Sequence, residues 1–347
     1  MILKLRTLKS LLRAMALVAS LVATGIAWAQ TQPAASLEAT PVAARTASQW
    51  LLRMHEAPRH HNYMGTLVVS SGAMMASSRV WHVCDGDVIL ERVQSLNGVP
   101  RITFRRDQNV ITFLPKTKRA FTEIRDSLGL LNSRVSATDT TVDQFYTARF
   151  LGAERLAGLE VDVVLIEPRD KYRFAYKIWT EKQTGLIVKM ETLNEQGYTM
   201  DQVGYTEMRL SPAITPRHVA NLMAQTQGYT VQSLEVKKTS AQAMGWSIKK
   251  DVPGFKSMST YLRPAEAGLK HQTVQWIFSD GLASVSVFID PFDPHLHRQE
   301  GLMITGATHT WVKRLQMHKQ DWVVTVVGEV PVATLQLFSK SIDRSTP

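Results

Sequence analysis

The first part of the chain shows a helical pattern of apolar residues. The spacing i, i+3, i+4, i+7, typical of an amphipathic helix, occurs at Ala47, Trp50, Leu51 and Met54. Thr46 is a candidate N-cap, and Pro58 is a candidate stop signal. The pattern therefore predicts a helix between these two residues.

After this helix the apolar pattern changes to a period of two and continues to residue 210. Turn signals such as Asp85-Gly86 and Asn97-Gly98 separate the short runs, as in an antiparallel meander. The runs include YMGTLVVS, SRVWHVC, DVILERVQ, RITFRRD, NVITFLP, YRFAYKIWT, GLIVKMETL and MDQVGYTEMRL. A long sheet needs cover on one face, and we expect the Trp50 helix and residues 138–147 to supply it.

A second block of strand patterns follows a proline-containing segment, SPAITPRH, at 211–218. The block ends in a helical stripe formed by Leu335, Phe338 and Ile342. We predict an α+β protein with a first domain at 45–210, a linker at 211–232 and a second domain at 233–347. The first is a large antiparallel sheet covered by helices, and the second is a smaller antiparallel sheet with a closing helix.

The amino-terminal segment reads as a secretory signal peptide. Four basic residues precede a short apolar run, and Ala27-Trp28-Ala29 fits a small-x-small cleavage site. We expect cleavage after Ala29, so that residues 1–29 are removed, and a flexible lead-in at 30–44. The alternative is an uncleaved anchor, but the apolar run is too short to span a bilayer.

Charge narrows the choice of partners. The 347-residue chain has a formal net charge of +10, which falls to +6 without residues 1–29. A basic exported protein favours acidic partners, such as phosphorylated lipid or an acidic protein segment. We expect no nucleic acid partner in that compartment.

The segment FIDPFDPHLHR at 288–298 holds the best candidate metal ligands, Asp290, Asp293, His295 and His297. Two prolines and two flanking strands place it in a surface loop. Because a catalytic metal needs fixed ligands and a pocket, we interpret it as a solvated loop and predict no metal. Motifs of hydrolases, P-loop proteins and dinucleotide-binding enzymes are absent from the sequence. We therefore expect no catalytic residues and no cofactor.

A basic cluster is more informative. It alternates with apolar residues between 101 and 125, and its central members are Arg101, Arg105, Arg106 and Lys116. On adjacent strands this pattern predicts one apolar face and one cationic face. The cationic face is either an ordinary solvated surface or a site for acidic lipid head groups. An acidic peptide is the other candidate partner.

Several motifs together make the chain resemble the RseB/MucB family of periplasmic regulators of the sigma-E envelope-stress response. They are the WLLRMHEA helix, YKIWTEKQTGLIVKMETLNEQG, WSIKKDVPGF, Arg263-Pro264, FSDGLASVSVFI and WVVTVVGEVPVATLQLFSKSI. The resemblance covers essentially the whole chain after residue 29. The chain departs most from the family pattern in the proline- and histidine-containing loop at 290–301.

The resemblance implies a first domain that is a half-barrel similar to the lipoprotein carriers LolA and LolB. It also implies a periplasmic protein that binds the periplasmic part of a transmembrane anti-sigma factor and shields it from proteolysis. Lipopolysaccharide, lipid or the acyl chains of mislocalised lipoprotein would relieve the shielding. The alternatives are a lipid or lipoprotein carrier and, with no assembled nucleophile, a periplasmic hydrolase. The sequence does not decide whether the chain forms a homo-oligomer.

Two sets of site residues follow from this interpretation. A carrier-like sheet would leave an apolar groove for lipid, lined by Trp50, Leu51, Met54, Leu67, Val69, Val80 and Phe104. The second domain would bind the protein partner through residues suited to anchor an interface, namely Trp246, Phe255, Arg263, Trp276 and Phe278. For the four aromatic residues, plain core packing is the competing interpretation.

Overall fold

The computed structural model describes residues 44–86, 88–124, 141–233, 236–264, 271–294, 299–317 and 320–344. The predicted signal peptide, nearly all of the lead-in, and both His295 and His297 lie outside these ranges. No helix within the described ranges is long and apolar enough to cross a membrane.

Helices are few in the described part of the chain. They are α1 (Ala47–His60), α2 (Thr141–Phe145), α3 (Pro216–Met223) and α4 (Val332–Ser341), with 3₁₀ turns at Pro115–Thr117 and Gln242–Met244. Helix α1 begins with a capping box, in which Thr46 and Gln49 exchange hydrogen bonds between side chain and backbone. The predicted stop at Pro58 is wrong by two residues, because this proline lies within the last turn of α1.

Most of the chain up to residue 233 forms one twelve-stranded sheet, in the order β12-β6-β5-β4-β3-β2-β1-β11-β10-β9-β8-β7. Its first strands are β1 (Tyr63–Ser71), β2 (Met74–Asp85), β3 (Val88–Ser95), β4 (Ile102–Arg106), β5 (Asn109–Leu114) and β6 (Arg119–Ile124). The others are β7 (Tyr146–Leu156), β8 (Leu159–Pro168), β9 (Ala175–Glu181), β10 (Ile187–Leu193), β11 (Thr199–Leu210) and β12 (Thr230–Ser233). The predicted antiparallel meander is confirmed, and β1 joins its two halves by pairing with both β2 and β11.

This large sheet curves around α1. The helix contacts both β2 and β7, which stand six steps apart in the strand order. In a flat sheet those strands would lie about 29 Å apart, whereas a helix with its side chains is only about 10–12 Å wide. The sheet must therefore bend to bring both strands to one helix, which gives the half-barrel its shape.

The opposite face of the sheet is also covered. Helix α3 contacts β2, β3 and β4, and Val219 is buried there among Val83, Leu90 and Phe104. Strand β12 pairs in parallel with β6. The segment predicted as a linker at 211–232 is therefore packed on the first domain, because its apolar residues cover a sheet face that would otherwise be exposed.

The second domain contains a seven-stranded antiparallel sheet in the order β13-β15-β16-β17-β20-β19-β18, and α4 packs on β19 and β20. Its strands are β13 (Lys237–Thr239), β15 (Lys256–Arg263), β16 (Thr273–Ser279), β17 (Ser284–Pro291), β18 (Gly301–Thr305), β19 (Thr308–Met317) and β20 (Gln320–Gly328). A separate pair is formed by β14 (Trp246–Ile248) and β21 (Ile342–Arg344). The α+β class and the smaller second sheet with its closing helix are confirmed.

Candidate functional site

Six of the seven residues expected to line an apolar groove lie together beneath α1. Three come from the inner face of the helix and three from β1 and β2, and none is more than 7% exposed. They form one core cluster, comprising Trp50, Leu51, Met54, Leu67, Val69 and Val80. A lipid chain would reach these side chains only if α1 moved away from the sheet.

Phe104 does not share a groove with the other six. Val80 pairs with Val93, and Val93 pairs with Thr103, so Val80 and Thr103 point to the same side of the sheet. Because successive strand residues alternate in direction, Phe104 points to the other side, where it packs in the cluster beneath α3. The predicted alternation of apolar residues along the strands is correct, but the sequence did not show that both faces of the large sheet are covered.

The basic cluster does not form one cationic face. Arg105 is only 8% exposed, and its Nε donates to the backbone carbonyl of Asp107. The neighbouring Arg106 is exposed on the opposite face of β4, while Lys116 is exposed in the turn after β5. Arg101 is half-buried, with its backbone N–H donating to Ser95 Oγ at 2.8 Å. Strand alternation separates side chains that are adjacent in sequence, and head-group binding by these residues stays a prediction.

The four aromatic residues expected to anchor a partner are core residues. Trp246, Phe255, Trp276 and Phe278 are between 2% and 7% exposed and belong to the core of the second domain. Arg263 is half-buried and donates from Nη1 to Gln275 Oε1 at 2.8 Å. As placed here, the aromatic four cannot touch a partner, so the competing interpretation of core packing describes them.

A buried histidine and carboxylate tie α1 to the sheet. His82 Nδ1 lies 2.6 Å from Glu91 Oε1, and its Nε2 lies 2.6 Å from the carbonyl oxygen of Pro58. A carbonyl only accepts, so Nε2 is the donor to Pro58, which leaves Nδ1 facing the Glu91 carboxyl. Both side chains are at most 1% exposed. A histidine–carboxylate pair suits general base catalysis, but at this depth it meets no substrate, and it serves to fasten the last turn of α1.

The two domains meet at a buried ion pair. Arg173, between β8 and β9, donates from Nε to Asp280 Oδ2 at 2.6 Å, and both side chains are 0% exposed. Tyr146 donates its hydroxyl to the same oxygen at 2.9 Å. The other oxygen, Oδ1, accepts from the backbone N–H groups of Leu282 and Ala283. Both oxygens of this carboxylate are therefore satisfied, Oδ2 by residues of the first domain and Oδ1 by backbone groups of the second.

Packing around Arg173 completes this junction. Its guanidinium lies 4.3 Å from the ring centroid of Phe145 and 5.1 Å from that of Phe255, one from each domain. It also donates to the carbonyl of Pro253. Burial lowers the pKa of Arg173, but the charge of Asp280 and its other acidic neighbours more than offset this and raise the pKa overall. The cation is therefore held permanently at the contact.

A second contact joins the β1–β2 turn to the β18–β19 turn. The Asp201 carboxyl lies against both turns, since a Cβ built on Gly306 would be 1.8 Å from Asp201 Oδ1 and 2.5 Å from the hydroxyl oxygen of Ser71. Nearby in the second domain, burial and then the charge of Asp201 raise the pKa of Glu329 to about 7. Two carboxyl groups from different domains thus influence each other across the junction.

Local sequence patterns provide only a partial signal for this junction. Ser279-Asp280-Gly281 reads as a hairpin turn, which is confirmed by the β16–β17 connection and by φ of +101° at Gly281. An aspartate at such a turn ordinarily caps local backbone groups, and Asp280 does so. Its additional contact with Arg173, 107 positions earlier, has no local signature in the chain.

Among the described residues, no group of three or more histidine, cysteine, aspartate or glutamate side chains is placed to hold a metal ion. The two histidines of the candidate loop at 288–298 lie outside the described ranges. Cys84 is half-buried, and its thiol donates to Asn62 Oδ1 at 3.1 Å. Burial raises the pKa of that thiol, which disfavours the nucleophilic thiolate.

Two family models match the chain in succession. The MucB/RseB N-terminal domain matches residues 46–223, and the MucB/RseB C-terminal domain matches residues 240–343. The chain belongs to the MucB/RseB family. The first match includes α3, in keeping with the packing of that helix on the first domain.

Relatives align over nearly their whole length. The chain is 28% identical over 324 residues to the Sigma factor AlgU regulatory protein MucB of Pseudomonas aeruginosa, covering 88% of this chain and 94% of MucB. It is 23% identical to the Sigma-E factor regulatory protein RseB of Haemophilus influenzae, covering 86% and 91% of the two chains. These names are those of regulatory proteins.

Solved structures of MucB share the fold. The complex structure of Pseudomonas aeruginosa MucA/MucB contains a chain with TM-score 0.67 and 25% identity, covering 87% of this chain and 99% of that one. The crystal structure of MucB in complex with MucA(peri) gives a TM-score of 0.65 at 24% identity, with 87% and 100% covered. The arrangement of a large and a small sheet is therefore the MucB arrangement.

Proposed function

We propose that this chain is a periplasmic negative regulator of a sigma-E-type stress response. It binds the periplasmic part of a transmembrane, MucA-like anti-sigma factor and shields it from regulated proteolysis. The observation that carries the proposal is the match to both MucB/RseB domains in order on one chain. The relatives that align with it end to end are named as sigma-factor regulators.

We propose further that lipid, lipopolysaccharide or lipoprotein acyl chains relieve the shielding. The support is the curved sheet around α1, whose apolar inner residues would become a lipid surface if the helix lifted. A ligand shifts an equilibrium only through different affinities for its two states. Lipid would therefore favour a state with α1 displaced, and the junction built on Arg173 offers a route by which that state reaches the second domain.

The alternative is a periplasmic lipid or lipoprotein carrier. A carrier needs a lipid-binding first domain, whereas the second domain has a core of its own and a buried polar junction with the first. This arrangement favours the regulator. In either case the chain acts by binding, and a hydrolase is not supported by any assembled nucleophile among the described residues.

Protease protection tests the proposal directly. The periplasmic domain of the anti-sigma factor from the same genome is digested alone, with residues 30–347 of this chain, and with the chain plus lipopolysaccharide. We expect protection by the chain and renewed cleavage when lipopolysaccharide is added. Equal cleavage rates with and without the chain would remove the regulator function, and lipid binding without protection would favour the carrier. An alkaline phosphatase fusion to residues 1–44 tests export, since that reporter is active only outside the cytoplasm.

A further inference from the structure

Exposed apolar side chains occur in both domains near the domain junction. On the first domain, Met75, Leu96 and Val99 are 69%, 50% and 63% exposed. On the second, Leu302, Met303 and Ile304 in β18 are 42%, 42% and 56% exposed. We call these six residues the rim. Contiguous exposed apolar surface of this kind marks binding sites more often than isolated apolar residues do.

The turns that carry the rim touch one another. A Cβ built on Gly72, in the β1–β2 turn, would lie 3.5 Å from the backbone nitrogen of Gly306 in the β18–β19 turn. Leu96 donates its backbone N–H to Ser77 at 2.9 Å, and Asn97 donates from its side chain to the carbonyl of Met75. The β3–β4 turn is thereby fastened to the start of β2. The rim therefore spans both domains. Because side chains alternate along a strand, Leu302 and Ile304 share one face of β18 and Met303 points to the other.

Strand β18 is an edge strand with no protection against pairing. No strand in the described ranges pairs with its outer side. The opposite edge of the same sheet, β13, carries Lys237 and Lys238, and charged residues of this type normally prevent pairing at sheet edges. Strand β18 reads Gly-Leu-Met-Ile-Thr and has no charge. Its free backbone groups suit the addition of another extended strand.

Positive charge lies at the same end of the large sheet. Lys116 and Lys118 are exposed in the turn between β5 and β6, and Arg119 is exposed at the start of β6. Since Ile102 pairs with Phe113 near that turn, these cations adjoin the β3–β4 turn of the rim. Glu195 and Glu300 are exposed acidic residues in the β10–β11 turn and just before β18. Against these, the three exposed cations and the net charge of +6 without residues 1–29 favour an acidic partner.

We propose that an extended, acidic polypeptide segment docks along β18 and lays apolar side chains on the rim. The proposal rests on the proposed function, because the periplasmic part of the anti-sigma factor supplies this segment. An acyl chain cannot satisfy the backbone groups of an edge strand, whereas a peptide can. Because the docked segment contacts both domains, its affinity depends on how they are arranged.

The test measures binding of residues 30–347 to the periplasmic domain of the anti-sigma factor from the same genome, by calorimetry. In the variant Leu302→Lys/Ile304→Lys we expect the Kd to rise at least about tenfold, because central apolar contacts dominate such interfaces. Leu151→Lys, at a β7 position that is 40% exposed, is the matched control and should change the Kd by less than about twofold. Unchanged thermal unfolding verifies that each variant is folded.

A second variant and a second readout address the charge and the backbone. Lys116→Glu/Lys118→Glu should weaken binding about three- to tenfold at low salt, with the loss shrinking at high salt because exposed charges are screened. Hydrogen exchange of the amides at 301–305 should slow when the segment binds, since an added strand covers them.

The outcomes separate this proposal from the function on which it rests. If wild-type chain fails to bind, the regulator function is lost together with the docking site. If wild type binds and the β18 variant binds equally, only the docking site is overturned. Phosphatidylglycerol vesicles provide the remaining arm: a rim variant that loses vesicle binding but keeps the protein partner would reassign the rim to lipid.

Discussion

The charged side chains at the domain junction have partners within the chain, whereas the apolar side chains of the adjacent rim are exposed. At the junction, Arg173 and Asp280 are charged, fully buried and supplied with partners from both domains. On the rim, Leu302 and Ile304 are apolar and exposed, at 42% and 56%. Buried charge is tolerated only when it is paired, so the junction is complete as it stands. The rim remains open to an additional partner.

The difference also indicates what each region does. A satisfied polar contact between domains fixes their arrangement, because moving them apart would leave a carboxylate without its cation. An exposed apolar edge contributes little to folding and is retained at some risk of aggregation. We interpret the junction as the element that fixes how the two domains are arranged. The rim is then a binding surface whose affinity depends on that arrangement.

The largest effect is expected from breaking the junction. Arg173→Met leaves Asp280 buried without its cation and should lower the free energy of unfolding by about 3–5 kcal/mol. The control is Arg149→Met, because Arg149 pairs with Glu167 at 3.5 Å while both side chains are exposed, and such pairs contribute at most about 1 kcal/mol. Urea unfolding measures both. Equal losses in the two variants would show that the junction does not stabilise the chain.

A smaller loss should follow from crowding the same contact. Gly254 has φ of +79°, and a Cβ there would lie 2.1 Å from Arg173 Nη2. Gly254→Ala should therefore cost about 2–4 kcal/mol, from a left-handed backbone combined with overpacking. Gly158 has φ of +84° and nothing within 4 Å of its would-be Cβ, so Gly158→Ala should cost only about 1–2 kcal/mol. Thermal unfolding compares the two variants. Identical shifts in Tm would mean that the Arg173 side chain moves aside without loss of stability.

The smallest effect, when taken per pH unit, is a pH dependence at the second contact. Glu329 has its pKa raised from 4.5 to about 7 by burial and by Asp201. Its contribution to folding is intact below pH 4.5 and is lost as the pH rises through about 7, with a limiting slope of ~1.4 kcal/mol per pH unit. The neighbouring His309 acts in the opposite sense, since burial lowers its pKa. Asp201 acts in the same sense as Glu329, because burial raises its pKa.

Comparison of wild type with Glu329→Gln isolates the glutamate from these neighbours. The urea midpoint of each protein is measured from pH 4.5 to 8. As the pH rises, the midpoint of wild type should fall relative to that of Glu329→Gln. A constant difference across that range would show that Glu329 ionises without cost to folding.

Local patterns in the sequence predicted the elements well. The helical stripe at Trp50 and the N-cap at Thr46 appear in the structure as α1 with its capping box. The period of two gave the strands of both sheets, because alternating burial is a property of each strand by itself. Pro58 shows the limit of local rules, since packing of α1 on the sheet carries the helix past a residue that usually ends one.

The positions of the candidate site residues depend on contacts between residues that are distant in sequence, and local patterns do not show such contacts. The sequence could not assign Phe104 to a face, because both faces of the sheet are covered and both carry apolar residues. Trp246 and Trp276 are of a residue type that often anchors interfaces, yet a small domain also needs large side chains to fill its core. The role of Arg173 at the junction had no local signal, because Asp280 and Pro253, which it contacts there, lie in the other domain.

The sheet that bends around α1 also constrains how the first domain is made. Strand β1 pairs with β11, whose residues follow 130 to 147 positions later, and Trp50 stacks on Phe150 from β7 at 6.4 Å. Contacts so distant in sequence close slowly. The chain emerges amino terminus first, so α1 is present before the strands. It can pack on the sheet only after the last strands of that sheet have emerged. Until then the apolar side of α1 is exposed, and a chaperone in the exporting compartment would find its binding surface there.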